Sequence, residues 1–153
     1  MKATTLHGIP LVDVSVDVSA TFGDAARVLS ESGLSGLAVL DEGRVVGLFT
    51  DEELLLALSP RYLDELRHTA FLETELPSLR GQATRVRAEP VRKHMRKPTT
   101  IELEAGSLHA AERFVHSDEG ALPVVDDDDR FVGMLSRTQF AHALLKRLAD
   151  EEN

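Results

Sequence analysis

Val45-Val46-Gly47-Leu48-Phe49-Thr50-Asp51-Glu52-Glu53 decides how the rest of the chain is read. The first five residues form an apolar run of the length of a buried strand. Thr50 and Glu53 then stand at the spacing of a capping box. In that motif a hydroxyl accepts an orphan backbone N–H and the carboxylate reaches back to the cap. Leu54-Leu55-Leu56-Ala57-Leu58 carries on as helix, so a strand passes directly into a capped helix. The start of such a helix carries partial positive charge and unpaired N–H groups, which suit an anion or a polar ligand. The device recurs at Phe131-Val132-Gly133-Met134-Leu135-Ser136, with Ser136 as cap and Gln139 in the place of Glu53. Gly47 and Gly133 lie 86 positions apart, which points to an internal repeat.

Working outward, Val12, Val14, Val16 and Val18 alternate with other residues as in a strand. Thr21 reads as a helix N-cap, with Phe22, Ala25, Ala26 and Leu29 on one helical face and Gly33 placed to end the helix. Leu37 to Leu40 is a short strand, and Asp41-Glu42-Gly43-Arg44 is a turn. The second half follows suit. Thr99 to Leu103 is strand-like, and Ser107 caps a helix with Leu108, Ala111 and Val115 on its apolar face. Leu122 to Val125 is a strand whose Pro123 belongs at a strand start or edge. Phe140, Ala141, Leu144, Leu145 and Leu148 form the apolar face of the last helix. On this alignment Phe22 matches Leu108 and Ala25 matches Ala111. The expected architecture is α/β, or α+β by strict naming: two β-α-β-β-α units spanning 1–58 and 91–153, with 59–90 between them. Each half is too small to bury its own sheet well, so the halves should pack on each other.

The 153 residues have an ordinary soluble composition, 42% hydrophobic and 28% charged, with a formal net charge of −9. That charge argues against a general nucleic-acid binder. The chain has no cysteine, which excludes thiolate chemistry and cysteine zinc sites. No apolar run approaches a membrane span and the N-terminus lacks a signal-like stretch, so a cytoplasmic location without membrane contact is expected. Asp126 to Asp129 lack the spaced ligands of a calcium loop and read as a solvated turn. His109 and His116, two helical turns apart, do not make a metal pair. Nothing supports a hydrolytic triad, and no enzyme activity is expected. Tyr62, Leu63, Leu66, Phe71 and Leu72 predict a packed helix over 60–72, and 80–90 should be the more mobile part. The basic run Arg80, Arg85, Arg87, Arg92, Lys93, Arg96 and Lys97 has three readings: a solvated linker, a phosphate-facing wall of the second cleft, or a docking site for an acidic partner or nucleic acid.

The repeated "LAVLD" and "LPVVD" strands, the "VVGLFT" and "FVGMLS" strands and the helices around them resemble CBS domains, the cystathionine-β-synthase-type repeats found in tandem as Bateman modules. The resemblance covers roughly 9–58 and 91–148. Val91-Arg92-Lys93-His94-Met95 is similar to the short lead-in that opens such a repeat, and the first repeat has no matching methionine. The resemblance implies a pseudo-twofold pair with two clefts and a regulatory role. AMP, ADP, ATP or S-adenosylmethionine is the implied ligand, with no covalent cofactor. It implies contacts from Thr50, Asp51 and Glu53, with Leu37 and Ala38 lining one base pocket. In the second cleft it implies Ser136, Arg137 and Gln139, with Leu122 and Pro123 on the strand and Thr100, Arg96 and Lys97 near. The family's aspartate is replaced by Glu53 and Gln139, so ribose recognition is altered, most at the second site. The cationic balance around Arg137 makes the second cleft the expected phosphate site. Both Thr50/Glu53 and Ser136/Gln139 serve equally as structural capping boxes, worth about 1 kcal/mol each. The resemblance further implies a homodimer through helices carrying Leu54, Leu58, Phe140 and Leu144, and an unidentified regulated protein. The alternative is a constitutive dimerisation scaffold with no nucleotide.

Overall fold

The computed structural model describes residues 5–6, 8–58 and 76–151. A two-stranded hairpin, β1 (Thr5–Leu6) with β2 (Ile9–Pro10), comes first. The first repeat follows as β3 (Ser15–Asp17), α1 (Phe22–Ser32), β4 (Gly36–Asp41), β5 (Arg44–Thr50) and α2 (Asp51–Leu58). After α3 (Leu76–Arg87) and a 3₁₀ turn at Val91–Lys93 comes the second repeat. It comprises β6 (Ile101–Glu102), α4 (Ser107–Ser117), β7 (Ala121–Val125), β8 (Phe131–Ser136) and α5 (Arg137–Glu151). Each repeat thus builds a three-stranded sheet, β3-β4-β5 or β6-β7-β8, with the first pair parallel and the second antiparallel. The expected mixed architecture of two β-α-β-β-α units is what the chain adopts. Among the described residues no helix is long and apolar enough to cross a membrane.

Local chemistry accounts for most element ends. Thr21 Oγ1 accepts the Asp24 N–H at 3.1 Å, and Gly33 ends α1 with φ of 73°. The left-handed conformation at Gly33 avoids the Cβ clash that other residues meet there. In the second repeat Asp118 takes that role with φ of 59°, as a short polar residue can. Glu42 and Gly43 both have positive φ, the geometry of a two-residue hairpin turn. The longer turn of the second repeat is held by Asp126, whose Oδ1 accepts the N–H groups of Asp128 (2.9 Å) and Arg130 (3.0 Å).

The alternation of each strand divides the core into layers. Leu37, Val39 and Phe49 face the helices of the first repeat, where Phe22 meets Phe49 edge-on at 5.4 Å. Leu122, Val124 and Leu135 face those of the second. Ala38, Leu48, Ala121 and Met134 form the layer between the sheets. Pro123 sits inside β7 rather than at its start. The parallel ladder with β6 begins one residue later, at Val124, so Pro123 meets no β6 partner.

The lead-in segments are exchanged between the repeats. Leu6, Ile9 and Leu11 pack in the core of the second repeat, and Val86, Val91 and Met95 in that of the first. Leu48 exchanges backbone hydrogen bonds with Arg96 (both 2.9 Å), and Met134 does so with Val12 (3.0 and 2.8 Å). A Cβ on Gly47 would fall 2.2 Å from Met95 Sδ, and one on Gly133 2.6 Å from Leu11 Cβ. Leu11 therefore fills the place of the lead-in methionine that the first repeat lacks.

Several expectations need correction. Helix α4 begins at Ser107 with Gly106 as N-cap, so Ser107 is not the cap. Its buried residues are Ala110 and Phe114, whereas Leu108 is 84% and Val115 73% exposed. The true offset between the repeats is 85 over this helix and through β7, and becomes 86 only after the longer turn at 126–130. Along α5, Phe140 is buried and Ala143 and Leu144 pack on the core, but Ala141, Leu145 and Leu148 are exposed. The first strand is shorter than its valine alternation suggests. Residues 80–87 lie in α3, whose Val86 packs in the core of the first repeat. The packed helix expected over 60–72 lies outside the described residues.

Candidate ligand-binding site

The capping boxes are real but unequal. Thr50 N–H donates to Glu53 Oε2 at 3.0 Å, the Thr50 hydroxyl donates to the same oxygen, and Thr50 Oγ1 accepts the Glu52 N–H at 3.2 Å. In the second box the structure shows the forward half, Gln139 N–H to Ser136 Oγ at 3.4 Å. The Asp51 and Arg137 N–H groups donate to Ser35 and Gly120 carbonyls, each at 3.0 Å. Much of the first-turn donor capacity is thus already spent within the fold.

Each box opens onto two different cavities. Thr50, Asp51 and Glu52 meet Ser136, Arg137 and Thr138 in a cavity of about 360 Å³, completed by 33–35 and 118–120. These residues are repeat equivalents, so this cavity lies on the pseudo-twofold axis. Its walls carry Asp51, Glu52, Asp118 and Glu119 against the single cation Arg137.

Glu53 and Gln139 turn outward, each into its own cleft. The first cleft, about 460 Å³, is bounded by Glu53, Leu56 and Ala57 of α2, Val86, Glu89 and the lead-in residues Lys93 to Met95. The second, about 510 Å³, is bounded by Gln139, His142, Ala143, Lys146, Arg147 and Asp150 of α5 and the lead-in residues Gly8 to Pro10. Glu53/Gln139, Leu56/His142 and Ala57/Ala143 are each 86 positions apart, so the clefts are symmetry mates. Both fall within the usual size of small-ligand sites.

Other candidate residues fall elsewhere. Leu37 and Leu122 are fully buried in the helix-side cores; Ala38 is fully buried between the sheets, and Pro123 is fully buried in β7 beside Met134. Thr100 is partly buried and lines none of these three cavities. Arg137 faces the axis cavity rather than the second cleft. Arg96 is far from the role expected of it. It pairs with Glu53 through Nε, with Glu119 through Nη1 (2.7 Å) and with Glu52 through Nη2 (2.8 Å), so it stands between the first cleft and the axis cavity. Burial works to lower its pKa, but hydrogen bonds to Glu52, Glu53 and Glu119 and the charge of Glu53 outweigh it and raise the value further. The guanidinium is charged at every accessible pH. His142, Lys146 and Arg147 were missed in the sequence reading. Their signal is the stripe Gln139, Ala143, Lys146, Asp150 at helical spacing, which the leucines of the same helix overshadow.

The fold and its paired clefts define a tandem CBS module, and the chain belongs to the CBS domain family, whose model matches residues 3–60 and 91–146. It is 28% identical over 99% of its length to the meiotically up-regulated gene 70 protein of Schizosaccharomyces pombe, of which it spans 19%. It is 26% identical to a CBS domain-containing protein of Dictyostelium discoideum, with 88% of this chain and 86% of that protein covered. Among solved structures it resembles CBSX2 in complex with AMP, with a TM-score of 0.65, 25% identity, and coverage of 88% of this chain and 90% of that one. The CBS-pair protein CBSX2 from Arabidopsis thaliana gives a TM-score of 0.71 at 23% identity, covering 97% and 99%.

Proposed function

We propose that this chain is a regulatory nucleotide-sensing module that binds an adenine nucleotide, AMP first among candidates, in its second cleft. The observation that carries this reading is the side-chain set on α5. Among the described residues the side chains of His142 and Lys146 have no hydrogen-bond or ion-pair partner, and they stand with Arg147, which donates to Ser107 Oγ at 3.2 Å, around a 510 Å³ cleft beside Gln139. Two cations and a histidine against Asp150 suit a phosphate. Gln139 offers a carboxamide that both donates and accepts to a ribose or base edge. The AMP complex of the related CBSX2 supports the class of ligand. The site calls for binding and no bond-making, so the module acts by ligand-dependent contacts with a regulated protein, in the cytoplasm, as two sequence repeats flanking 59–90. A thermal-shift series with AMP, ADP, ATP and S-adenosylmethionine tests this. A ligand at about a hundred times its Kd stabilises by about 2.7 kcal/mol, several degrees of Tm for a chain of this size. No shift with any of the four would leave the scaffold reading in its place.

A second observation favours self-association. Leu108, Val115, Leu145 and Leu148 on α4 and α5 are more than half exposed, beside an apolar groove of about 300 Å³ formed by Phe114, Phe140, Leu144 and their neighbours. Such a patch is larger than scattered surface leucines. These exposed apolar residues support a homodimer formed through this face.

A further inference from the structure

The two clefts are symmetry mates, but their polar groups are engaged differently. In the first, both carboxylates already have internal partners. Glu89 Oε2 lies 2.9 Å from His94 Nε2. Glu53 accepts the Thr50 N–H, the Thr50 hydroxyl and Arg96 Nε. A carboxylate has about four acceptor positions, so three are used, and Glu53 is only 8% exposed. The guanidinium is delivered from a fixed position, because the Arg96 backbone is paired with Leu48. The equivalent position opposite the second cleft is Val12, paired with Met134 in the same way and carrying no charge. Gln139 is exposed, and among the described residues the side chains of His142 and Lys146 have no hydrogen-bond or ion-pair partner.

We propose that Arg96 locks the first cleft by holding Glu53 from beside it, leaving the second as the ligand site of the two clefts. The class of ligand rests on the nucleotide reading above; the lock rests on the Arg96 contacts alone. A ligand that displaced Arg96 from Glu53 would leave that nearly buried carboxylate without its guanidinium partner. Opening the first cleft to a ligand at Glu53 therefore means breaking a charge-assisted pair at a nearly buried carboxylate, although Lys93 and His94 also line that cleft. A ligand able to open it must offer Glu53 a donor in place of the guanidinium.

Two readouts on the full chain test the lock. Titration calorimetry with adenosine, which is uncharged, should give one equivalent per chain in the wild type and two in Arg96→Met. Hydrogen exchange over 50–58 should quicken at least tenfold in Arg96→Met, while 131–148 is unchanged. If Arg96→Met does not fold, Arg96→Lys, which keeps the charge but cannot hold three carboxylates, should show the same second equivalent with a smaller gain in exchange. Two equivalents in the wild type would overturn the proposal. So would a variant with unchanged exchange, or one with faster exchange and no second equivalent. If the wild type binds neither adenosine nor AMP, the nucleotide reading falls, and the exchange at 50–58 alone upholds or overturns the lock.

Discussion

Glycines 47 and 133 show how a single atom sets the approach of the two repeats. Gly47→Ala drives a Cβ into the flexible end of Met95, and Gly133→Ala drives one into Leu11 beside its backbone. The second substitution should cost more, about 1–3 kcal/mol of overpacking, with the first below it and largely rescued by Met95→Ala. Urea unfolding of the three variants measures the order. Asp17 accepts the Ser19 hydroxyl and N–H, which hold its carboxyl below 3.8. Its folded pKa is depressed, so its contribution is complete above 3.8 and is lost as the pH falls through the folded value; an NMR titration should place the midpoint below 3.8 and Ser19→Ala should raise it. The Gly47/Gly133 pairing was legible in the sequence as a repeat mark. What lies against each glycine was not, because Met95 and Leu11 come from the opposite repeat and no local pattern records that exchange.

The same divide appears among the elements. The strand-to-helix passage at Thr50 was readable because a capping box is chemistry within four residues. Thr50→Ala should lower stability by about 0.5–2 kcal/mol, and Ser136→Ala by less, since only half of its box forms; thermal unfolding compares them. The buried face of α4 lies one residue away from the one the Gly47–Gly133 spacing implies, because the longer turn at 126–130 adds its residue after α4, not before it. The buried face predicts that Phe114→Ala costs about 3–5 kcal/mol and Leu108→Ala or Val115→Ala less than about 0.5 kcal/mol in the monomer. Equal costs at 108 and 114 would return α4 to the face the sequence suggested.

At the scale of the molecule, the exchanged lead-ins join the repeats through two cores and one inter-sheet layer, so the pair should unfold as a unit. The exposed α4 and α5 leucines predict a dimer by light scattering at micromolar concentration, and Leu145→Glu with Leu148→Glu should yield monomers that keep the wild-type circular dichroism. Sequence patterns carried the repeat, the layers and the positions of Glu53 and Gln139. They did not carry the asymmetry between the clefts, because it depends on where Arg96 lands after crossing to the other repeat. The most direct measurement is AMP titration of the wild type and Lys146→Glu. The account predicts saturable binding to the wild type, and weakening by at least tenfold, about 1.4 kcal/mol or more, on reversal of the charge in the second cleft. Unchanged AMP affinity in Lys146→Glu would contradict it.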